Sequence, residues 1–172
     1  MGREVRRVPH DWRHPTRECP HSPWAGGCKV PLTPPGTCFK PLYEGNWYES
    51  RKAAWLNSLV EKGLQETLEC EGNPPNADDY MPVWSSDQAT HYMMYEDTSE
   101  GTPISPVFAT PEELARWLAD TGASSFGSMT ASYEAWLRVA RGGWAVSAVI
   151  SDGAIESGVD AFARQRVEEG EG

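Results

Sequence analysis

Six side chains that can ligate a transition metal crowd into the first 38 residues: His10, His14, Cys19, His21, Cys28 and Cys38. They are three of the chain's four histidines and three of its four cysteines. Zinc takes four such ligands tetrahedrally, and a proline-rich segment with no apolar periodicity is the kind of chain a metal can organise. The most economical ligand set is Cys19, His21, Cys28 and Cys38, which lie within twenty residues. The spacing argues the other way. Cys19-x-His21 departs from the usual two-residue gap between paired ligands, and neither Cys28 nor Cys38 has a close ligand neighbour. His10 and His14 are four residues apart, but Pro9 and Pro15 bracket them and oppose a shared helix face. Two readings stand: a zinc site, or no cofactor at all with these residues as ordinary side chains.

Other chemistry is weaker. Cys19 lies beside Glu18 and two residues from Arg17 and His21, but no cysteine-enzyme signature surrounds it. Cys70 falls at the acidic end of a helical pattern, where the negative dipole end dulls a thiol. Asp78-Asp79, Asp97 with Glu100, and Asp152 with Glu156 lack the spacing of a calcium loop, and turn and capping preferences account for them. No P-loop, dinucleotide fingerprint or nucleophile elbow occurs. No catalytic residue is assigned, and the balance is against an enzyme.

The elements that would position these residues change character along the chain. Residues 1–46 carry Pro9, Pro15, Pro20, Pro23, Pro31, Pro34, Pro35 and Pro41, which forbid a long helix and interrupt sheet ladders. Trp12, Trp24, Phe39, Tyr43, Trp47 and Tyr48 are too many aromatics for a disordered tail, so this irregular arm is expected to lie against the domain. Over 47–72, Ala54, Trp55, Leu56, Leu59, Val60, Leu64 and Leu68 recur every three or four residues and predict an amphipathic helix ending near Gly72, with a kink at Gly63. Residues 73–90 read as a polar connection.

Residues 91–162 predict the core. His91–Glu96 and Ser105–Ala109 read as strands. Thr110-Pro111-Glu112-Glu113 is a helix start, with Thr at the cap, Pro at the first position and Glu three residues after the cap. A second helix opens at Thr130 and stops at Gly142-Gly143. Trp117 and Trp136 share helix faces with leucine or valine and are expected in the core. Trp144–Ile150 and Ala154–Val159 read as two strands joined by a tight turn at Asp152-Gly153. The fold class is α+β: a small antiparallel sheet with helices on one face. Residues 163–172 read as a loose acidic tail.

The net charge of −10 is unevenly spread. Residues 1–52 hold nine of the 15 Lys and Arg against five acids, and the remainder holds six against 20. A largely acidic surface opposes broad nucleic-acid binding, although the arm interleaves Arg3, Arg6, Arg7, Trp12, Arg13, Arg17, Trp24, Lys29, Phe39 and Lys40 in a pattern that could stack on a single strand. Pairing of these basic groups with the acidic body is the competing account. No stretch approaches the ~20 apolar residues of a membrane span, and no apolar leader follows Met1, so a cytoplasmic address is expected.

The segments Val8-Pro9-His10-Asp11-Trp12-Arg13-His14-Pro15, His91-Tyr92-Met93-Met94-Tyr95-Glu96, Ser99-Glu100-Gly101-Thr102-Pro103-Ile104-Ser105-Pro106-Val107-Phe108 and Thr110-Pro111-Glu112-Glu113-Leu114-Ala115 resemble a family of small accessory proteins encoded by bacteriophages and prophages. The resemblance implies a bacterial host cell and no catalytic residue. The expected function is therefore non-enzymatic binding of a host or phage protein, as in counter-defence or host takeover. The alternatives are a zinc-organised module that binds nucleic acid or protein, and a small enzyme without a recognisable motif.

Overall fold

The computed structural model describes residues 2–19, 32–97, 101–151 and 153–162. In chain order the elements are β1 (Gly2–Val8), β2 (Thr16–Glu18), β3 (Thr37–Phe39), α1 (Trp47–Lys62), α2 (Leu64–Glu71), β4 (His91–Glu96), β5 (Thr102–Pro103), α3 (Pro111–Asp120), α4 (Tyr133–Gly142), β6 (Trp144–Val146), β7 (Ala148–Ser151) and β8 (Ala154–Ser157). The architecture is α+β, and the chain divides into two units: Met1–Lys40 with Trp84–Gly172, and Pro41–Val83.

The first unit is organised by an antiparallel sheet in the order β5-β4-β1-β6. Residues 2–8, read from the sequence as part of an irregular arm, supply one of its two central strands. Their charge disguised them, since four of these seven residues, Arg3, Glu4, Arg6 and Arg7, would look costly to bury singly. The register resolves the cost. Arg3 is buried opposite Glu96 and bonds it at 2.6 Å, and Arg7 lies over the ring of its cross-strand neighbour Tyr92 at 4.3 Å. Arg6 bonds Glu4 at 3.0 Å and lies over the Tyr95 ring at 4.5 Å. Paired in this way, buried charge is tolerated where an isolated one would not be.

Side chains alternate across β1, so Val5 shares a face with its partner Met94, and α3 and α4 pack on that face. Met94, Leu114, Leu118, Trp136 and Val139 are fully buried there, each contributing roughly 1.5–3 kcal/mol for a side chain of this kind. The helix start at Thr110 forms as the sequence predicts: its hydroxyl accepts from the Glu113 backbone N–H at 3.1 Å, while the Glu113 carboxylate accepts from the Ala109 N–H at 3.1 Å. The next helix starts at Tyr133, three residues later than expected, capped by Ser132, whose hydroxyl accepts from the Ala135 N–H. Gly143, at φ +87°, ends it in a left-handed conformation that a side chain rarely adopts.

Three expectations shift. Ser105–Ala109 is not a regular strand: Pro103 and Pro106 have no N–H to give, β5 is confined to Thr102–Pro103, and the Ser105 hydroxyl accepts from the Met94 N–H in place of a ladder carbonyl. Contact with β4 resumes only at Phe108, which exchanges both backbone bonds with Tyr92 at 2.9 Å. Trp144–Ile150 breaks at Ser147, so that β6 joins the main sheet and β7 pairs with β8 around Gly153 at φ +78°. The last expected strand stops at Ser157, and residues 158–162 are helical. The 163–172 tail lies outside the described residues.

The second unit is a helical hairpin with its return segment. The predicted helix forms but divides at Gly63, φ +81°, into α1 and α2. The Thr67 hydroxyl meets that of Ser58 at 3.5 Å, and the Trp55 indole N–H donates to the Gly72 carbonyl at 3.0 Å, pairings that run the helices antiparallel. Residues 77–79 make a 3₁₀ turn, and Tyr43 bonds Asp79 and Met81 through its backbone, both at 2.9 Å. The segment 73–90 is thus more than a linker.

Candidate functional site

The strongest electrostatic perturbation lies on the sheet face opposite α3 and α4. Tyr95 on β4 is fully buried, and residues 12–14 and Phe39 surround it: the His14 ring sits 5.5 Å from both Tyr95 and Phe39, and Trp12 packs edge-on against Trp84 at 4.8 Å. The bonding fixes the protons. A carbonyl can only accept, so His14 Nε2 carries the hydrogen it shares with Lys40 O at 2.7 Å. Nδ1 of a neutral ring is then the acceptor for the Tyr95 hydroxyl at 3.2 Å, and that oxygen in turn accepts from the Trp12 indole N–H at 3.1 Å.

Burial lowers the His14 pKa to about 4; the Lys40 carbonyl opposes this shift and the Arg6 charge adds to it. Burial also pushes the Tyr95 phenol well above its ordinary value. A neutral imidazole with both nitrogens engaged, beside a phenol that holds its proton, is poorly placed to be a base or nucleophile. The cluster closes the sheet face. It went unread in the sequence because residues 12, 14, 39 and 95 meet only through the fold.

Among the proposed metal ligands, Cys19 and Cys38 are described, and His21 and Cys28 lie outside the described residues. β2 and β3 pair with Arg17 opposite Cys38, and the ladder continues as the Cys19 N–H donates to Gly36 O at 3.0 Å. Cys19 thus follows β2 directly, two residues from the position opposite Cys38. His14 is committed to Tyr95 and Lys40, while His10 is exposed beside Asp11. Among the described residues, no group of three or more His, Cys, Asp or Glu is arranged to hold a metal.

The hairpin departs most from expectation. Its buried side chains are Ser58 and Thr67, whereas several residues of the apolar face expected of an amphipathic helix are exposed: Leu56 is 46% exposed, Val60 86%, Leu64 58% and Leu68 39%. At about 100° per residue, Leu56 and Val60 lie roughly opposite Ser58 on α1. Beside the hairpin, Tyr43, Arg51, Trp55, Pro74, Pro75 and Tyr80 help line a cleft of about 340 Å³. No helix among the described residues is long and apolar enough to cross a membrane. No family model, curated protein or solved structure matches the chain.

Proposed function

We propose that this chain is a non-enzymatic accessory protein that acts by binding another protein, with the outer face of the α1–α2 hairpin as the contact surface. The supporting observation is the exposure of Leu56, Val60, Leu64 and Leu68 on two adjoining helices. Scattered exposed leucines need no explanation, but four large apolar side chains exposed between residues 56 and 68 are a concentration of the kind that marks interaction sites. The phage resemblance directs the reading to a host or phage protein in the bacterial cytoplasm, and the acidic body makes nucleic acid the weaker partner.

The test compares two variants of the full chain in infected cells. Replacing Leu56, Val60, Leu64 and Leu68 with serine is expected to abolish co-purification of a partner. Replacing Ile150 and Ile155, an exposed cross-strand pair on β7 and β8, is expected to leave it intact. Retention by the first variant, or loss in the second alone, removes the hairpin from the interface.

A second reading has one observation in its favour: pairing of β2 with β3 brings Cys38 opposite Arg17, two residues from Cys19, and the segment between the cysteines contains His21 and Cys28. Zinc held by these four would organise the arm as a binding module. Elemental analysis of protein purified without an affinity tag is then expected to find close to one equivalent of zinc, lost with chelator. Less than about a tenth of an equivalent would sink the reading.

A further inference from the structure

The cleft beside α1 has a chemistry that the partner-binding reading does not use. Arg51, Ala54 and Trp55 recur at three- and four-residue spacing and so present one face of α1 to it, while Asn73, Pro74, Pro75 and Tyr80 help form the facing wall. The Arg51 guanidinium is held over the Tyr43 ring, 5.0 Å from its centroid. Among the described residues no carboxylate pairs with it and no acceptor takes its N–H groups, although Glu71 and Asp79 line the same cleft. Glu71 is engaged by Lys62 at 3.6 Å. The indole of Trp55 is oriented by its bond to Gly72 O, which leaves the ring as apolar wall.

A guanidinium stacked on an aromatic ring and lacking an acceptor presents a planar fork that matches a carboxylate. Tyr43, Trp55, Pro75 and Tyr80 supply the flat apolar surface that usually flanks such an anchor in a binding site. Two carboxylates on the same walls disfavour a phosphate or polyanion more than a singly charged carboxylate.

We infer that this cleft binds a single carboxylate carried beside an aromatic or large apolar group, with Arg51 as the anion anchor and Trp55 and Tyr80 as the apolar wall. A protein chain end with an apolar last residue and a small N-acylated amino acid both have this chemistry. The inference is independent of the hairpin contact, because it concerns the Arg51 side of α1.

The test follows the indole N–H resonance of Trp55 in the full-length protein, assigned by its loss in Trp55→Phe. N-acetyltryptophan is expected to shift it saturably, and N-acetyltryptophanamide to need at least about tenfold higher concentration, the loss that one charged hydrogen-bonding anchor implies. In Arg51→Met the acid should bind no better than the amide, and Arg51→Lys should recover part of the difference. A peptide Ala-Ala-Ala-Trp with a free terminus separates the sources: tighter binding than N-acetyltryptophan assigns the site to a chain end, weaker binding to a small molecule. Equal binding of acid and amide would overturn the inference, as would no saturable shift up to about 10 mM, where any affinity is negligible. Inorganic phosphate shifting the resonance with the same midpoint would overturn it too, by showing an unselective anion site.

Discussion

Replacing Trp136 with alanine is expected to destabilise the protein by about 3–5 kcal/mol, the largest single effect among substitutions in the first unit. Trp136 is fully buried on α4 in one cluster with Leu114, Leu118 and Met94, so truncation removes the largest side chain of that cluster and leaves a hole its rigid neighbours cannot close. Its indole N–H has no hydrogen-bond partner among the described residues. Trp136→Phe therefore keeps much of the packing while deleting an unpaired donor, and should cost markedly less than the alanine. Trp117, also expected in the core, is half-buried and packs against Phe108 with ring centres 6.0 Å apart. Its alanine variant should fall below that of Trp136. Urea denaturation of the three variants measures the order, and a loss under about 1 kcal/mol for Trp136→Ala would contradict the placement of α4.

Acid should weaken the fold before the carboxylates are neutralised. His14 has a pKa of about 4 in the folded chain and about 6.5 when unfolded. Above pH 6.5 the ring is neutral in both states and its contribution is fully present. As the pH falls below 6.5 the unfolded chain takes up a proton that the buried site refuses, and stability declines until the folded ring protonates near pH 4. The loss over this interval is on the order of 3 kcal/mol. Around the ring stand Tyr95, the Lys40 carbonyl, and Arg6 with its partner Glu4, none of which favours the imidazolium except the carbonyl and Glu4. Glu112 is held below the usual carboxylate range by Arg141, so its share is lost only at lower pH. Denaturation curves between pH 7.5 and 4 for the wild type and His14→Gln separate the two. The variant should be nearly flat down to pH 5, and parallel curves would show that His14 is not the group responsible.

Local signals and long-range ones divide cleanly here. The helix start at Thr110–Glu113, the strand His91–Glu96, the stop at Gly143 and the break at Gly63 were all legible, because each depends on a few adjacent residues: a cap, a run of β-formers, or a glycine at positive φ. Antiparallel α+β organisation followed from their order. β1 was not legible, since a strand containing Arg3, Glu4, Arg6 and Arg7 is stable only when Glu96, Tyr92 and Tyr95 meet those charges across the sheet.

The same limit governs the candidate sites. Periodicity alone located the hairpin leucines, but a three- and four-residue repeat records only that side chains share a face, and it says nothing of whether another surface covers that face. The fold buried Ser58 and Thr67 and left Leu56, Val60, Leu64 and Leu68 in water. His14 stood out in the sequence as a possible ligand. The tertiary structure instead spent both of its nitrogens, on Tyr95 and on Lys40, because a buried imidazole must find partners wherever the chain brings them. Sequence by itself determined which segments could be helix or strand. Only the tertiary structure decided which polar groups are satisfied and which surfaces stay exposed, since both depend on contacts between residues far apart in the chain.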